Sequence, residues 1–301
     1  MKKIEFDISS LHKLQYDILV EFDRICRKHN LTYFLAYGTL LGAVRNDGFI
    51  PWDDDIDTMM PYEDYIKLKE VSPSEWKYPY FLQTNETDRE YKRCFAKLRN
   101  SNTTLITKEL SHLDINHGVD LDIYPIVHLA DDPKDRIKQY RNTMLFMLLR
   151  YDEPPRNHGF IYYYGGKALL AMIPNALKNQ LENYYLDKVL KYENLPTKDV
   201  YVVNGNIEVM HQDLSSKWFE RTIDHQFEDA FFPIPIGAQE MLQRRYGVNF
   251  MQPPAKELQG IKLDGFLKVD LGTPYKEYKG IVYCTGKRRS KVINNRWVKY
   301  S

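Results

Sequence analysis

The residues with the clearest chemical potential are aspartates crowded into one short segment. Asp53, Asp54, Asp55 and Asp57 follow Trp52 within five positions. In an extended backbone alternate side chains share a face, so Asp55 and Asp57 are predicted to point to one spot. Carboxylates that close repel each other unless a cation lies between them, and oxygen ligands favour Mg²⁺ or Mn²⁺. The segment therefore predicts a divalent-metal site, with an acidic surface turn as the alternative.

A second alternating segment, at positions 118–125, offers further carboxylates. Asp120 and Asp122 are predicted to lie on one face of a strand, with apolar residues on the other. Three carboxylates from two neighbouring strands can hold two metal ions about 3.5 to 4 Å apart for an in-line displacement. At least one carboxylate of this strand, Asp122 or Asp120, could join Asp55 and Asp57 as catalytic residue and metal ligand, and Asp53 is a secondary metal candidate. The alternative for the second pair is a plain polar strand face.

The candidate substrate-binding residues lie near these carboxylates. They are Gly38, Thr39, Arg45, Trp52, Lys97 and Arg99. A turn at Gly38 and Thr39 that leads into a helix offers free N–H groups to a phosphate. The three cations could hold a nucleotide's phosphates, although exposed basic residues are usually only solvated. Trp52 could stack on a base or sugar, or simply anchor its loop.

The elements that must position these residues follow from apolar periodicity. Ser9 and Ser10 are predicted to cap a helix from Leu11 to Ile25, and a short helix from Thr39 to Arg45 is predicted to precede a turn. Strands are predicted over 32–37, from near Asp55, and over 80–83, 94–99 and 119–126. Further helices are predicted over 136–150 and 167–192, and proline-separated loops after Trp218. We therefore expect a sheet with helices on it (1–130), a helical insertion or second lobe (131–215), and a C-terminal segment packed on the first part (216–301).

Composition limits the partners. The 301 residues include 42 Lys plus Arg and 41 Asp plus Glu, so no overall basic field favours nucleic acid. Three cysteines without CxxC spacing fit a reducing compartment, and the first ten residues lack a secretory apolar region. No HExxH, Walker A lysine, GxSxG or kinase motif occurs. We expect a cytoplasmic protein.

One local charge asymmetry bears on membranes. Residues 281–301 contain six lysines and arginines and no acidic residue. A solvated tail and a tail that contacts anionic lipid headgroups or phosphorylated glycan both fit this pattern. Together with the aromatic run at 160–164, the tail leaves open a peripheral contact with the inner face of the membrane.

Two runs carry a resemblance to a known family. YGTLLGAVR at 37–45 followed by GFIPWDDDID at 48–57 closely resembles the signature of the LicD family, which includes fukutin and fukutin-related protein. The elements LDIYP at 121–125, FFPIP at 231–235, and YG at 246–247 with PP at 253–254 look similar too. The histidine-containing stretch that often follows in the family is absent at 255–260, and 131–215 shows no motif that aligns.

The resemblance implies a fold, a site and a reaction. The fold would be α+β, with a nucleotidyltransferase-like mixed sheet flanked by helices. Gly38 and Thr39, Asp55 and Asp57, and Asp122 match the family's turn, its Asp-x-Asp pair and its third carboxylate. The expected reaction transfers phosphocholine or a polyol phosphate from a CDP-alcohol donor, CDP-choline or a CDP-polyol, to a sugar hydroxyl of a cell-surface glycan that could be lipid-linked, with release of CMP. Alternatives are attachment of a whole nucleotide to an acceptor, and a non-catalytic glycan- or nucleotide-binding module.

Overall fold

A computed structural model of the protein describes residues 7–154, 160–204, 210–260 and 265–286. Its α-helices are α1 (Ile8–Lys28), α2 (Tyr37–Asn46), α3 (Tyr62–Glu70), α4 (Pro133–Tyr151), α5 (Phe160–Met172), α6 (Asn175–Val189) and α7 (Ala238–Tyr246). Its strands are β1 (Phe34–Leu35), β2 (Asp57–Pro61), β3 (Tyr80–Gln83), β4 (Ala96–Asn100), β5 (Thr104–Thr107), β6 (Val119–Leu129), β7 (Asp199–Val202), β8 (Leu214–Ser215), β9 (Thr222–Phe227), β10 (Ala230–Pro235) and β11 (Phe266–Asp270). The predicted α+β class is confirmed. The basic tail from Lys287 onward lies outside the described residues.

The chain divides into two compact units. The first comprises the described residues within Met1–Tyr91, Ala96–Tyr124 and Trp218–Ser290. The second comprises those within Lys92–Phe95, Pro125–Lys217 and Lys291–Ser301. None of the described helices combines the length and the apolar character needed to cross a membrane.

Helix α1 lines the core of the first unit with one apolar stripe. Leu11, Ile18, Phe22 and Ile25 are fully buried, as the periodicity predicts, whereas Leu14 is only half-buried. The helix begins earlier than predicted, because the Asp7 carboxylate accepts hydrogen bonds from the N–H groups of Ser9 and Ser10. The predicted cap was therefore wrong: the two serines lie in the first turn.

The sheet of the first unit has the order β1-β2-β6-β4-β3, in which β6 contributes its first half. In that half Val119, Leu121 and Ile123 are 0% exposed, while Asp120 and Asp122 are partly exposed. The predicted alternation of β6 is thus confirmed. Strand β3 has the predicted bounds, and β4 runs antiparallel between β3 and β6.

In the second unit α4 packs on α6, and the second half of β6 pairs antiparallel with β7. One buried glutamine connects these elements. The Gln139 side chain on α4 donates to the carbonyls of His128 and Val189 and accepts from the N–H of Ala130, so all its hydrogen-bonding groups are used.

Two predicted boundaries near the aspartates were wrong. The strand expected over 32–37 shortens to β1, because the Ala36 carbonyl accepts from the Leu40 N–H and the chain turns into α2 at once. The strand expected from Asp55 starts only at Asp57. Its pairing with β6 begins where the Ile56 carbonyl accepts from the Asp122 N–H, at 2.9 Å.

The later elements also differ from their predictions. The single helix expected over 167–192 is split into α5 and α6 at Pro174, which lacks an N–H group for a continuous helix. The loops expected after Trp218 include the β9–β10 hairpin and α7. Pro233 and Pro235 lie within β10, where their two-residue spacing puts both missing N–H groups on one edge of a two-stranded sheet.

Substituting Gly42 by Ala tests how tightly α2 packs on the turn that follows it. A Cβ at Gly42 would lie 2.4 Å from the Gly48 carbonyl oxygen and 3.3 Å from the Ile50 nitrogen, both backbone atoms that cannot rotate away. We expect Gly42→Ala to lower the free energy of unfolding by about 1 to 3 kcal/mol, seen as a lower midpoint in thermal unfolding. Gly165→Ala is the matched control, since this helical glycine has nothing within 4 Å. Equal midpoints for the two variants would contradict the packing argument.

Candidate functional site

The start of α2 is attached to β2 by two hydrogen bonds. The buried Thr39 hydroxyl oxygen accepts from the Asp57 N–H at 2.8 Å, and the Asp57 carbonyl accepts from the Ala36 N–H at 3.0 Å. Thr39 is 4% exposed. The residue predicted to bind a phosphate therefore fixes the backbone that carries one of the predicted metal ligands.

Gly38 makes room for another carboxylate. A Cβ at this position would lie 2.2 Å from Asp53 Oδ2, so any larger residue would displace the Asp53 side chain. Asp53 thus lies against the first turn of α2, where N–H groups without intrahelical partners favour negative charge. Gly38 and Thr39 thus each have a structural role: Gly38 leaves room for the Asp53 carboxylate, and Thr39 fixes the Asp57 backbone.

Helix α1 holds the acidic loop by its backbone. His12 Nε2 lies 2.7 Å from the Asp53 carbonyl oxygen, and the Gln15 side-chain amide donates to the Asp54 carbonyl at 2.9 Å. The His12 ring also stacks on Phe49, with 4.2 Å between centroids. Since these contacts use carbonyl groups, the loop is positioned without consuming its carboxylates.

Asp55 and Asp57 differ in exposure. Asp55 precedes the strand and is exposed to solvent, whereas Asp57 is the first residue of β2 and is 7% exposed. Burial first, then the charge of Asp122, raises the pKa of Asp57 well above its usual range. Burial of its loop and then the charge of Asp57 raise the pKa of Asp55 likewise. Because the Asp55 side chain is exposed to solvent, repulsion from Asp57 is the main physical cause.

Two cations predicted to bind phosphate instead face carboxylates across strands. Lys97 lies opposite Asp122 and Arg99 opposite Asp120 in the β4–β6 register. The Lys97 ammonium contacts both aspartates, and Arg99 Nη1 lies 2.9 Å from Asp120 Oδ1. Burial tends to raise the pKa of Asp120, but Arg99 and Lys97 hold it below its usual range. Arg99 is 3% exposed and also donates to Gln83 and to the Gly118 carbonyl.

Asp122 is the carboxylate of this pair that lies next to the acidic loop. Its Oδ2 accepts from the Tyr124 hydroxyl at 2.7 Å, and its Oδ1 lies 2.5 Å from the Lys97 ammonium. Burial raises the pKa of Asp122 despite that ammonium. Tyr124 packs edge-on against Tyr37, which begins α2 with a positive φ of 45°. The structure thus brings Asp122 together with Asp57, while Asp120 belongs to the ion pairs of the sheet.

Arg45 and Trp52 lie beside the acidic loop. Arg45 Nη1 lies 3.4 Å from the Phe250 carbonyl, and its guanidinium is 6.0 Å from the Trp52 ring. Burial lowers the pKa of Arg45, and the charge of Asp53 opposes that effect.

Sequence reasoning missed one cation, Arg245 at the end of α7. Its guanidinium lies 4.3 Å from the Tyr37 ring centre, and its charge lowers the pKa of Asp57 against burial and the other carboxylates. The next residue, Tyr246, has a pKa raised to about 12 by burial and, to a smaller extent, by Asp53 and Asp57. The Tyr-Gly pair at 246–247 is part of the family resemblance. Arg245 directly before it was not predicted to lie at the site.

A divalent cation fits the donor chemistry of this cluster. The charges of Asp53 and Asp122 raise the pKa of both Asp55 and Asp57, and such repulsion is what a bound cation relieves. All these donors are oxygen atoms, as Mg²⁺ requires. In the part of the chain that is described, no three Asp, Glu, His or Cys side chains are already arranged around a common metal position.

The chain is similar to known proteins over the region that carries these carboxylates. Residues 30–143 match the model described as LicD/FKTN/FKRP, nucleotidyltransferase domain. The lipopolysaccharide cholinephosphotransferase LicD of Haemophilus influenzae is 27% identical over 247 residues, which are 80% of this chain and 90% of that protein. An uncharacterized protein of Rickettsia prowazekii is 30% identical over 126 residues, 42% of this chain and 46% of that protein. This chain therefore carries a nucleotidyltransferase domain. The domain belongs to the LicD family, so the resemblance is confirmed.

Replacing Thr39 tests its structural role. Thr39→Val keeps the shape but leaves the buried Asp57 N–H without its acceptor, so we expect a loss of about 1 to 3 kcal/mol in the free energy of unfolding. Thr39→Ser keeps the hydroxyl and should lose less. The two variants are compared by thermal unfolding. If serine were as destabilising as valine, the methyl contacts rather than the hydrogen bond would dominate.

Proposed function

We propose that the protein transfers a phospho-alcohol, phosphocholine or a polyol phosphate, from a CDP-activated donor to a hydroxyl of a cell-surface glycan, with release of CMP. The observation that carries this proposal is the group of carboxylates at Asp55, Asp57 and Asp122, in which the charge of Asp122 raises the pKa of the other two, inside the family-matched region. The similarity to a lipopolysaccharide cholinephosphotransferase, over most of both chains, supports phosphocholine and a glycan acceptor.

The carboxylates divide into two roles in this proposal. Asp55 and Asp57 would hold Mg²⁺ or Mn²⁺, which when bound supplies positive charge to the donor's diphosphate. Asp122 completes that site or takes the proton from the attacking hydroxyl. Tyr124 and Lys97 orient Asp122 for this task through its two oxygens. The ion pairs of Asp120 with Lys97 and Arg99 support β4 and β6 beneath the site.

Arg245 is our candidate for the residue that binds the donor phosphates. Unlike Arg99, which is buried against Gln83, Gly118 and Asp120, Arg245 is solvent-exposed and close enough to Asp57 to affect its pKa. A guanidinium presents paired N–H donors that match phosphate oxygens. Transfer of phosphoryl groups depends mainly on such positioning and charge neutralisation.

We place the reaction in the cytoplasm, where activated donors and a reducing environment coincide. Cys26, Cys94 and Cys284 are all free thiols, and the first two are buried, which agrees with a chain that forms no disulfide.

Attachment of a whole nucleotide is a second candidate, because the matched family model is described as a nucleotidyltransferase domain. The mass of the products separates the two reactions. With CDP-choline and a glycan acceptor, free CMP and a phosphocholine-bearing glycan support our proposal. A glycan that carries CMP would instead establish nucleotidyl transfer.

Substituting Asp57 by Asn tests the metal site with two readouts. We expect turnover with Mg²⁺ to fall at least about 100-fold, since one of the two carboxylates that would hold the metal ion is lost. Because the raised pKa means that the ionised carboxylate opposes folding near neutral pH, the metal-free variant should unfold at a higher temperature than the wild type. Added Mg²⁺ should raise the midpoint of the wild type but not that of the variant.

Asp47→Asn is the control for this change. Asp47 is an exposed residue in a left-handed turn, a conformation that asparagine also tolerates. Its activity and its Mg²⁺ response should match the wild type. An Asp57→Asn enzyme that retains full turnover would remove Asp57 from the mechanism.

Substituting Arg245 by Ala tests the phosphate contact. We expect kcat/KM for the CDP-alcohol to fall by about 10- to 100-fold, the usual size of one lost charge-assisted hydrogen bond. Arg244→Ala removes the same charge from the adjacent exposed position and should change kcat/KM little. Arg245→Lys should recover part of the loss. If both alanine variants behaved alike, the effect would be one of general charge and not of position.

A further inference from the structure

Helix α5 in the second unit has an unusual surface. A helix that packs on a globular core normally turns one apolar stripe inward and a polar face outward. In α5 the exposed positions include Tyr164 (52%), Ala168, Ala171 and Met172 (73%), and the charged residue among them is Lys167. The outward face of this helix is therefore as apolar as an inward face.

Contacts with α4 identify the inward face of α5, so the exposed apolar residues lie on a different face from the one that packs on the core. Leu170 is 8% exposed, and a Cβ at Gly166, one turn earlier, would lie 2.7 Å from Pro154 Cβ and 3.5 Å from Leu148 Cδ1. Gly166 and Leu170 thus pack α5 against the end of α4. On the opposite side Ala168 and Ala171 are exposed, and Met172 is 73% exposed.

The apolar surface continues around the connection from α5 to α6. From Ala168 to Leu177 the sequence contains no charged residue, and Met172, Pro174 and Leu177 are all exposed. Monomeric soluble proteins rarely expose contiguous apolar surface of this kind without a partner for it. We name residues 168–177 the apolar tip.

Two lysines flank the apolar tip. Positions 154–181 contain no Asp or Glu. Lys178 pairs with Asp152 Oδ1 at 2.7 Å, whereas Lys167 is an exposed cation beside the tip. The Lys167 ammonium lies 5.2 Å from the Tyr163 ring centre, a pairing of cation and aromatic ring that suits a membrane interface. Basic residues next to apolar ones complement anionic headgroups above acyl chains.

A basic groove between α4 and α6 provides further cations in the second unit. It has a volume of about 310 Å³, and its lining includes Lys138, Arg141, Lys188 and Tyr184.

We propose that the apolar tip inserts into the surface of an anionic lipid bilayer, with Lys167 at headgroup level. Helix α5 has 13 residues and is about 20 Å long, less than the roughly 30 Å apolar core of a bilayer, so it would lie in the interface and not span it. The proposal does not depend on the reaction that the first unit catalyses.

Vesicle binding by the full-length protein tests this proposal. Co-sedimentation is measured with vesicles of phosphatidylcholine mixed with phosphatidylglycerol, and with phosphatidylcholine alone. For the double variant Met172→Glu and Leu177→Glu we expect a loss of about tenfold or more in binding to the mixed vesicles, since both apolar side chains would leave the lipid. Both positions are exposed, so the fold should be kept, as circular dichroism and thermal unfolding will show.

Ile281→Glu is the matched control, because Ile281 is as exposed as Met172, at 73%, and lies in the first unit. It should bind vesicles like the wild type, and Lys167→Glu should bind the mixed vesicles more weakly. Binding by the double variant equal to that of the wild type would overturn the proposal, even if another segment of the chain binds lipid. Self-association of the wild type that the double variant abolishes, without vesicle binding, would show that a second copy covers the tip.

Discussion

Negative charge confined to a small volume is the constraint on which the first unit depends. Four aspartates, Asp53, Asp55, Asp57 and Asp122, lie near the end of one loop and the start of two strands. The charges of Asp53 and Asp122 raise the pKa of Asp55 and Asp57, and such a cluster persists only where the surrounding fold holds it. The Thr39 hydroxyl fixes the Asp57 backbone, Gly38 admits the Asp53 carboxylate, and α1 side chains hold the loop by its carbonyl groups. Repulsion among these carboxylates destabilises the metal-free protein, and a bound cation would relieve it.

Charge compensation lies at the adjacent side of the same sheet. The β4–β6 register places Lys97 and Arg99 opposite the two aspartates of β6, so one carboxylate is neutralised in permanent ion pairs. Asp122, although it contacts Lys97, retains a raised pKa. Neighbouring residues two apart on one strand thus acquire different characters, because one faces an arginine and the other faces the acidic loop. That division favours a site in which one aspartate supports the strands and the other acts on substrate.

The two units suggest a division of labour. The first carries the charged site, within and beside the region that matches the LicD family. The second carries helices with a basic groove and the apolar tip, a composition suited to an anionic and apolar surface. If the acceptor of the proposed transfer is lipid-linked, holding the enzyme at the membrane surface would raise the local concentration of that acceptor.

The sequence by itself determined the elements whose information is local. Alternation placed Asp120 and Asp122 on one face of β6, periodicity placed the buried stripe of α1, and the two motif runs identified the family. Tertiary structure decided the rest. Cross-strand register, which depends on residues far apart in the chain, paired Lys97 and Arg99 with carboxylates. Packing of α7 brought Arg245 to Tyr37 across about two hundred positions, and no local pattern encodes such a contact. Whether an apolar helix is covered or exposed, as for α5, is likewise settled only by what packs on it.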